Sequence, residues 1–214
     1  MKERNLALMG SLMGGLVHNL NTPLMWIMGR AQLIQSRNER LESLHGLPIE
    51  EIAKTKEKND KDIRSILDGA EKIDSILKPI GYKVQMVSEG FTSVEIREYL
   101  EMELSFFMAD MRFKHETKRE IYMDSRSYYA KVDYNALSGA VIGIMNMMMT
   151  NTDKGRTLRI SLEAGVINLT CPEMKLTDDV QREIDSVCRD LMPVADIMVD
   201  EGQGLKVSIA LRDL

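Results

Sequence analysis

The chain has 214 residues, of which 44% are hydrophobic and 29% are charged, a composition typical of a soluble protein with one or two domains. The formal net charge of -5 argues against a nucleic-acid partner, because basic surfaces bind phosphates. No apolar run approaches the roughly 20 residues of a membrane span. The two cysteines lack the spacing of metal-ligand pairs and fit a reduced protein, so a cytoplasmic location is expected.

A long amphipathic helix is predicted from about Lys2 to Leu44. Its apolar residues follow the three-and-four spacing of a bundle-forming helix: Leu6, Met9, Met13, Leu16, Leu20 and Ile27. If Leu6 takes heptad position a, His18 falls at position f, opposite the apolar seam, where its imidazole is exposed to solvent. Pro23 removes a backbone donor, so a bend is expected just past His18.

A turn at residues 45–48 is predicted to lead into a second helix, which ends near Lys78 because Pro79 and Gly81 interrupt it. This helix also carries a heptad-like stripe, apolar apart from one asparagine: Ile52, Asn59, Ile63, Ile66, Ala70, Ile73, Leu77 and Ile80. Two antiparallel helices cannot bury both stripes alone, whereas a second copy completes a four-helix bundle. The sequence therefore predicts a homodimer, with a dimerisation domain at residues 1–81.

After a predicted linker at residues 82–90, with a short strand at Lys83–Val87, the pattern changes to mixed elements. Helices are predicted at 94–111, 133–149 and 178–191, and strands at 119–123, 128–132, 157–162, 166–170 and 205–211. Thr92 or Ser93 is expected to cap the first of these helices, and Thr177 the last. Helices on one face of a mostly antiparallel sheet form an α/β sandwich, predicted here at residues 91–214. The fold class is α+β.

The run from His18 to Leu24, H-N-L-N-T-P-L, resembles the H-box of two-component sensor histidine kinases, whose usual form is H-E-x-x-N-P-L. The histidine, the proline and the final leucine match in register, whereas Asn19 and Thr22 depart from the pattern. The resemblance implies that His18 is a phosphoacceptor, with Asn19, Asn21 and Thr22 beside it in the site. It also implies a dimerisation domain followed by an ATP-binding-like domain. A surface histidine on a coiled-coil-like helix is the alternative interpretation.

The second half of the chain departs from the ATP-binding domain that the resemblance implies. The family's two asparagine positions for magnesium and phosphates fall on Gly143 and Met147, and a Met is a poor magnesium ligand. Residues 171–174, C-P-E-M, stand where the family has an aspartate and a glycine-rich loop. The G-Q-G run at 202–204 favours a turn before the last strand. ATP binding is therefore expected to be weak or absent, with no tightly bound cofactor.

Three functions remain open from the sequence. The first is a histidine phosphotransferase, in which His18 exchanges a phosphoryl group with a response-regulator receiver domain that supplies the magnesium. Asn19 cannot accept the ring proton at pH 7, which favours a reactive acyl phosphate over ATP as the donor. The second is an active sensor histidine kinase core with an unusual ATP site. The third is a catalytically silent dimeric scaffold.

Overall fold

The structure is a computed structural model that describes residues 2–43 and 48–212, without the side chains of residues 2 and 4. Its helices are α1 (Lys2–Ser43), α2 (Ile49–Glu89), α3 (Ile96–Phe107), α4 (Tyr134–Thr150) and α5 (Asp178–Cys188). Its strands are β1 (Phe91–Glu95), β2 (Thr117–Met123), β3 (Tyr129–Asp133), β4 (Arg156–Glu163), β5 (Val166–Cys171), β6 (Ala195–Asp200) and β7 (Leu205–Leu211). A π-helical segment, Arg112–Glu116, precedes β2. Within the described residues, no helix is long and apolar enough to cross a bilayer.

The chain divides into two compact units. One, here called the hairpin unit, is Gly14–Lys78 and contains most of α1 and α2. The other, here called the α/β unit, combines the start of α1, up to Met13, with the chain from Pro79 onward. The predicted α+β class, a helical hairpin followed by an α/β sandwich, is confirmed. The turn predicted at residues 45–48 falls largely outside the described residues.

A few specific contacts hold the two helices of the hairpin unit in antiparallel register. Asp62 is only 4% exposed and accepts from Arg30 at 2.8 Å and from Arg37 at 2.5 Å. The hydrogen bond from Arg37 lowers the pKa of Asp62, so this side chain stays a carboxylate. At Gly69, a Cβ would lie 2.8 Å from Cγ1 of Ile27, so a side chain there would have to displace Ile27.

The prediction that the second helix ends near Lys78 is wrong. Helix α2 continues through Pro79 to Glu89, and the segment predicted as a strand at Lys83–Val87 is helical. The buried residues of this segment recur at helical spacing: Pro79, Lys83, Met86 and Val87. Proline costs the helix one backbone hydrogen bond, and burial of this face within the α/β unit outweighs that loss.

A buried polar network ties both helix ends to α3 and α4 within the α/β unit. Lys83 is 1% exposed and donates to the two carboxylate oxygens of Glu103 at 2.9 and 2.8 Å and to Ser138 Oγ at 2.8 Å. Ser138 donates to Oδ1 of Asn5 at 3.2 Å, and Nδ2 of Asn5 donates to Oδ1 of Asn135 at 3.1 Å. Each of these buried side chains has a hydrogen-bond partner inside the protein. Such a partner is needed because a buried polar group cannot hydrogen-bond to water.

The core of the α/β unit lies between α4 and a five-stranded sheet in the order β2, β4, β5, β7, β6. Strands β2 and β4 are parallel, and the other neighbours are antiparallel, in agreement with the predicted, mostly antiparallel sheet. Almost every residue of α4 is buried. Alternate residues of β4 are buried as well, from Arg156 through Leu162, so one face of the sheet packs inward.

Two strands were not predicted from the sequence. β1 pairs antiparallel with β3 in a separate two-stranded sheet, and β6 pairs antiparallel with β7 at the edge of the larger sheet. Because β1 occupies the residues before α3, that helix starts later than predicted. Its N-cap is Glu95, whose carboxylate accepts from the backbone nitrogen of Glu98, and neither Thr92 nor Ser93 caps it. Thr177 caps α5 as predicted.

Candidate functional site

His18 lies on α1 inside the hairpin unit, and its side chain is exposed, as its heptad position predicts. One turn later, Thr22 donates from Oγ1 to the carbonyl oxygen of His18 at 3.3 Å. Asn21 is exposed and Asn19 is half-buried. The structure therefore brings the four predicted site residues together on about one turn of helix, with His18 and Thr22 on the same face. The role of this cluster in phosphoryl transfer stays a prediction.

The helix continues past the cluster without interruption. Pro23 lies inside α1 and is buried. Its carbonyl oxygen lies 3.5 Å from the position that a Cβ on Gly69 would take, which places α2 directly against this turn of α1. Packing against α2 thus supports the helix where proline removes a backbone donor. The site consequently stands on a continuous helix.

A groove opens between α1 and α2 on the face of α1 that carries His18. Its volume is about 670 Å³, and its lining residues are Met25, Trp26, Gly29, Arg30, Leu33, Ser65, Asp68, Gly69 and Lys72. Met25 and Gly29 follow His18 by about two and three helical turns, so they lie on the same face. At about 1.5 Å per residue, the groove begins roughly 10 Å from His18 along the helix axis.

The groove combines exposed apolar side chains with charged residues of both signs, Arg30, Asp68 and Lys72. Met25 is 70% exposed and Trp26 is 57% exposed. The ammonium of Lys72 lies 5.6 Å from the centroid of the Trp26 ring, a cation–π contact. Trp and Met are enriched at protein interfaces, and adjoining exposed apolar side chains mark interaction surfaces. The sequence-based prediction did not include Trp26. The chain has a single tryptophan, about two helical turns after His18, and this placement could have indicated an interaction surface.

The positions predicted to correspond to magnesium-binding asparagines are covered in the structure. At Gly143, a Cβ would lie 2.9 Å from Cβ of Val187, so α5 packs directly on this part of α4. Met147 is 1% exposed. The cavity that remains beside Gly143 has a volume of about 110 Å³. Small-molecule pockets usually measure roughly 300–1,000 Å³, so this cavity is smaller than such pockets.

Residues 171–174 and the glycine pair near the end of the chain pack against each other. Both carboxylate oxygens of Glu173 accept from the backbone nitrogen of Thr157 at 3.1 Å. Gly204 has a φ of +87°, and a Cβ there would lie 2.4 Å from Cα of Pro172. Only glycine fits this turn, and β7 begins at the next residue, as the sequence predicts. The glycines therefore form a structural turn.

The sequence matches no model of a known protein family and no curated protein. Solved structures do resemble this chain. The cytoplasmic segment of histidine kinase QseC is 8% identical, with a TM-score of 0.44, over 58% of this chain and 79% of that chain. Acinetobacter baumannii histidine kinase AdeS is 13% identical, with a TM-score of 0.45, over 92% of this chain and 98% of that chain.

A further similar structure is histidine kinase ThkA in complex with the response regulator protein TrrA. It is 12% identical, with a TM-score of 0.47, over 100% of this chain and 64% of that chain. All three are histidine kinases.

Proposed function

We propose that this chain is a dimeric two-component signal transduction protein in which His18 exchanges a phosphoryl group with a response-regulator receiver domain. One arrangement supports the proposal most directly. The exposed His18 belongs to an H-box-like motif, and the face of α1 that carries it continues into an apolar groove. An exposed imidazole can attack a phosphoryl group in line, and the groove offers the contact area that holds a second protein beside it.

The transfer needs little from this chain besides the nucleophile. The unprotonated ring nitrogen of His18 attacks the phosphorus of an aspartyl phosphate, and a P–N bond forms as the P–O bond to the aspartate breaks. The aspartate carboxylate leaves with the electron pair, and the phosphorylated ring releases the proton on its other nitrogen to water. Asn19 can hydrogen-bond but cannot act as a base at pH 7, which suits an already activated donor. The receiver supplies the magnesium in this scheme.

The experiment that tests the proposal uses a panel of receiver domains charged with labelled acetyl phosphate. After incubation with the chain and Mg²⁺, we expect alkali-stable, acid-labile label on this protein. Label that appears from ATP and Mg²⁺ alone would instead identify an active sensor kinase core. Absence of label from either donor would identify a silent scaffold.

The hairpin unit leaves apolar side chains on both helices exposed: Val17, Leu24, Met28, Ile63, Leu67 and Leu77. A second copy that covers them would stabilise the pair by about 25 cal/mol for each Å² of apolar surface removed from water. Four helices packed in this way form a closed bundle. We therefore propose a homodimer through the hairpin unit.

Replacing Leu77 by Asp should weaken this dimer at least tenfold, because an unpaired charge would enter the apolar seam. Leu77 is 47% exposed in the single chain, so the variant should keep the fold of the hairpin. Leu20 and Ile73 are half-buried in the single chain, and Asp there would disturb both the hairpin and the dimer. Sedimentation equilibrium at micromolar concentration measures the effect. Ser75→Asp, on the opposite side of α2, is the control, and a monomeric parent chain would contradict the proposal.

We also propose that the α/β unit binds ATP weakly or not at all. Val187 packs on Gly143, and Met147 supplies no oxygen ligand for magnesium. Calorimetric titration of the chain with ATP and Mg²⁺ should therefore show no saturable heat below about 1 mM ATP, equivalent to a binding free energy weaker than roughly -4 kcal/mol. A dissociation constant in the micromolar range would contradict this prediction and favour the kinase core.

A further inference from the structure

The three-and-four spacing of apolar residues along α1 and α2 continues toward the tip of the hairpin unit, but polar residues take several of its places there. After Ile27, the spacing in α1 falls on residues that alternate between polar and apolar: Arg30, Ile34, Arg37 and Leu41. In α2 it falls on two consecutive polar residues, Lys56 and Asn59. Nearer His18, the same places in both helices hold apolar side chains. The seam of the hairpin therefore changes from apolar to polar along its length.

Arg37 and Asn59 meet Asp62 in a cluster, here called the polar layer. Nη1 of Arg37 donates to Oδ2 of Asp62 at 2.5 Å and to Oδ1 of Asn59 at 3.2 Å. Nδ2 of Asn59 donates in turn to Oδ1 of Asn38 at 3.0 Å. Asp62 is buried, whereas Arg37 and Asn59 are half-buried in the single chain. The other cation on Asp62, Arg30, lines the open groove, so the charges of Arg37 and Asp62 balance at the seam.

The polar layer keeps unused hydrogen-bonding groups on its half-buried side. Arg37 has five N–H groups, and among the described residues only its Nη1 has an acceptor. The amide nitrogen of Asn59 can donate twice and has one acceptor in the same part of the chain. Apolar side chains packed here would exclude water from these groups and offer them no partner, which is costly. A second copy brings the same donors and acceptors, as a self-complementary two-fold interface does.

We propose that the polar layer selects a second copy of this chain as the bundle partner and rejects helices whose seam is apolar at that level. The inference rests on the homodimer proposed above and adds what makes it specific. In a bundle core, polar residues at seam positions lower stability but specify which helices pair and in which register. Apolar residues in place of a buried ion pair are often neutral or stabilising, so stability alone does not account for Arg37 and Asp62.

Subunit exchange between full-length chains tests this selection. The test variant carries Arg37→Leu, Asn59→Ile and Asp62→Leu, and a short mass tag distinguishes it from the parent chain. After equal amounts have exchanged at a concentration well above both dissociation constants, native mass spectrometry counts the three dimers. Pairing without selection gives about one half mixed dimers. We expect the mixed dimer to fall below about one tenth, because the polar layer of the parent would then face apolar side chains.

Glu57→Gln with Lys61→Gln is the matched control, because it removes an exposed ion pair from the same stretch of α2. Its mixed dimer with the parent chain should stay at about one half. Asn59→Ile alone keeps the ion pair of Arg37 and Asp62 and so retains the hairpin, and we expect about one quarter mixed dimers from it.

Mixed dimers at the level of the control for both test variants would overturn the selection and leave the homodimer standing. Equal depletion in the control would overturn it as well, because any change in this stretch of α2 would then suffice. A parent chain that is monomeric at the same concentration would overturn both the selection and the homodimer.

Discussion

Replacing His18 by Gln should reduce phosphoryl transfer from a charged receiver to background. Glutamine can donate and accept hydrogen bonds, but its amide nitrogen has no free lone pair with which to attack phosphorus. The side chain is exposed, so the free energy of unfolding should change by no more than about 0.5 kcal/mol. Alkali-stable label on the protein measures transfer, and a thermal melt followed by circular dichroism measures the fold.

His115→Gln provides the matched control. His115 is also exposed, but it lies in the π-helical segment before β2, away from the H-box-like motif. This variant should be labelled to the same extent as the parent chain. Retained label in His18→Gln would contradict the assignment and direct the search to the chain's other two histidines, of which His45 lies outside the described residues.

Replacing Lys83 by Met should destabilise the α/β unit by about 3–5 kcal/mol, the cost of leaving one member of a buried ion pair without its partner. Lys83 and Glu103 are each 1% exposed, so water cannot compensate the Glu103 carboxylate. Tyr134 also donates a hydrogen bond to Glu103, and burial raises the pKa of Tyr134, so its side chain stays a neutral hydroxyl. A neutral donor cannot replace the positive charge of Lys83. Chemical denaturation of the parent and the variant gives the difference.

The double variant Lys83→Met with Glu103→Gln tests the cause of that loss. It removes both charges and keeps an acceptor for Tyr134, so it should recover at least half of the lost stability. Arg97→Met, which breaks an exposed ion pair with Glu101, should cost less than about 1 kcal/mol. A loss of similar size at Lys83 and Arg97 would show that the buried pair has no special role.

Local patterns predicted most elements of the chain, and the errors have identifiable causes. Pro79 and Gly81 predicted a helix end, but proline lowers helix stability by a finite amount that tertiary burial can exceed. The β6 segment, Ala195–Asp200, contains three consecutive apolar residues between two aspartates, a short run that sequence reasoning left unassigned. β1 is short, and its pairing with β3 depends on residues that are distant in the sequence.

The sequence by itself determined the long helix α1, the helix α4, the capped start of α5, and the strands β4, β5 and β7. Each follows from periodicity, capping or turn chemistry within a few neighbouring residues. The exposure of His18 also follows from the local sequence, because helical geometry alone places it on the side of the helix opposite the apolar seam.

Only the tertiary structure decided which distant residues meet. It placed Lys83 beside Glu103, Val187 on Gly143, and Lys72 over Trp26. Each contact joins different elements, so its distance depends on how those elements pack and not on any local pattern. Burial then reverses the local expectation: a charged residue becomes part of the core, and a proline remains inside a helix.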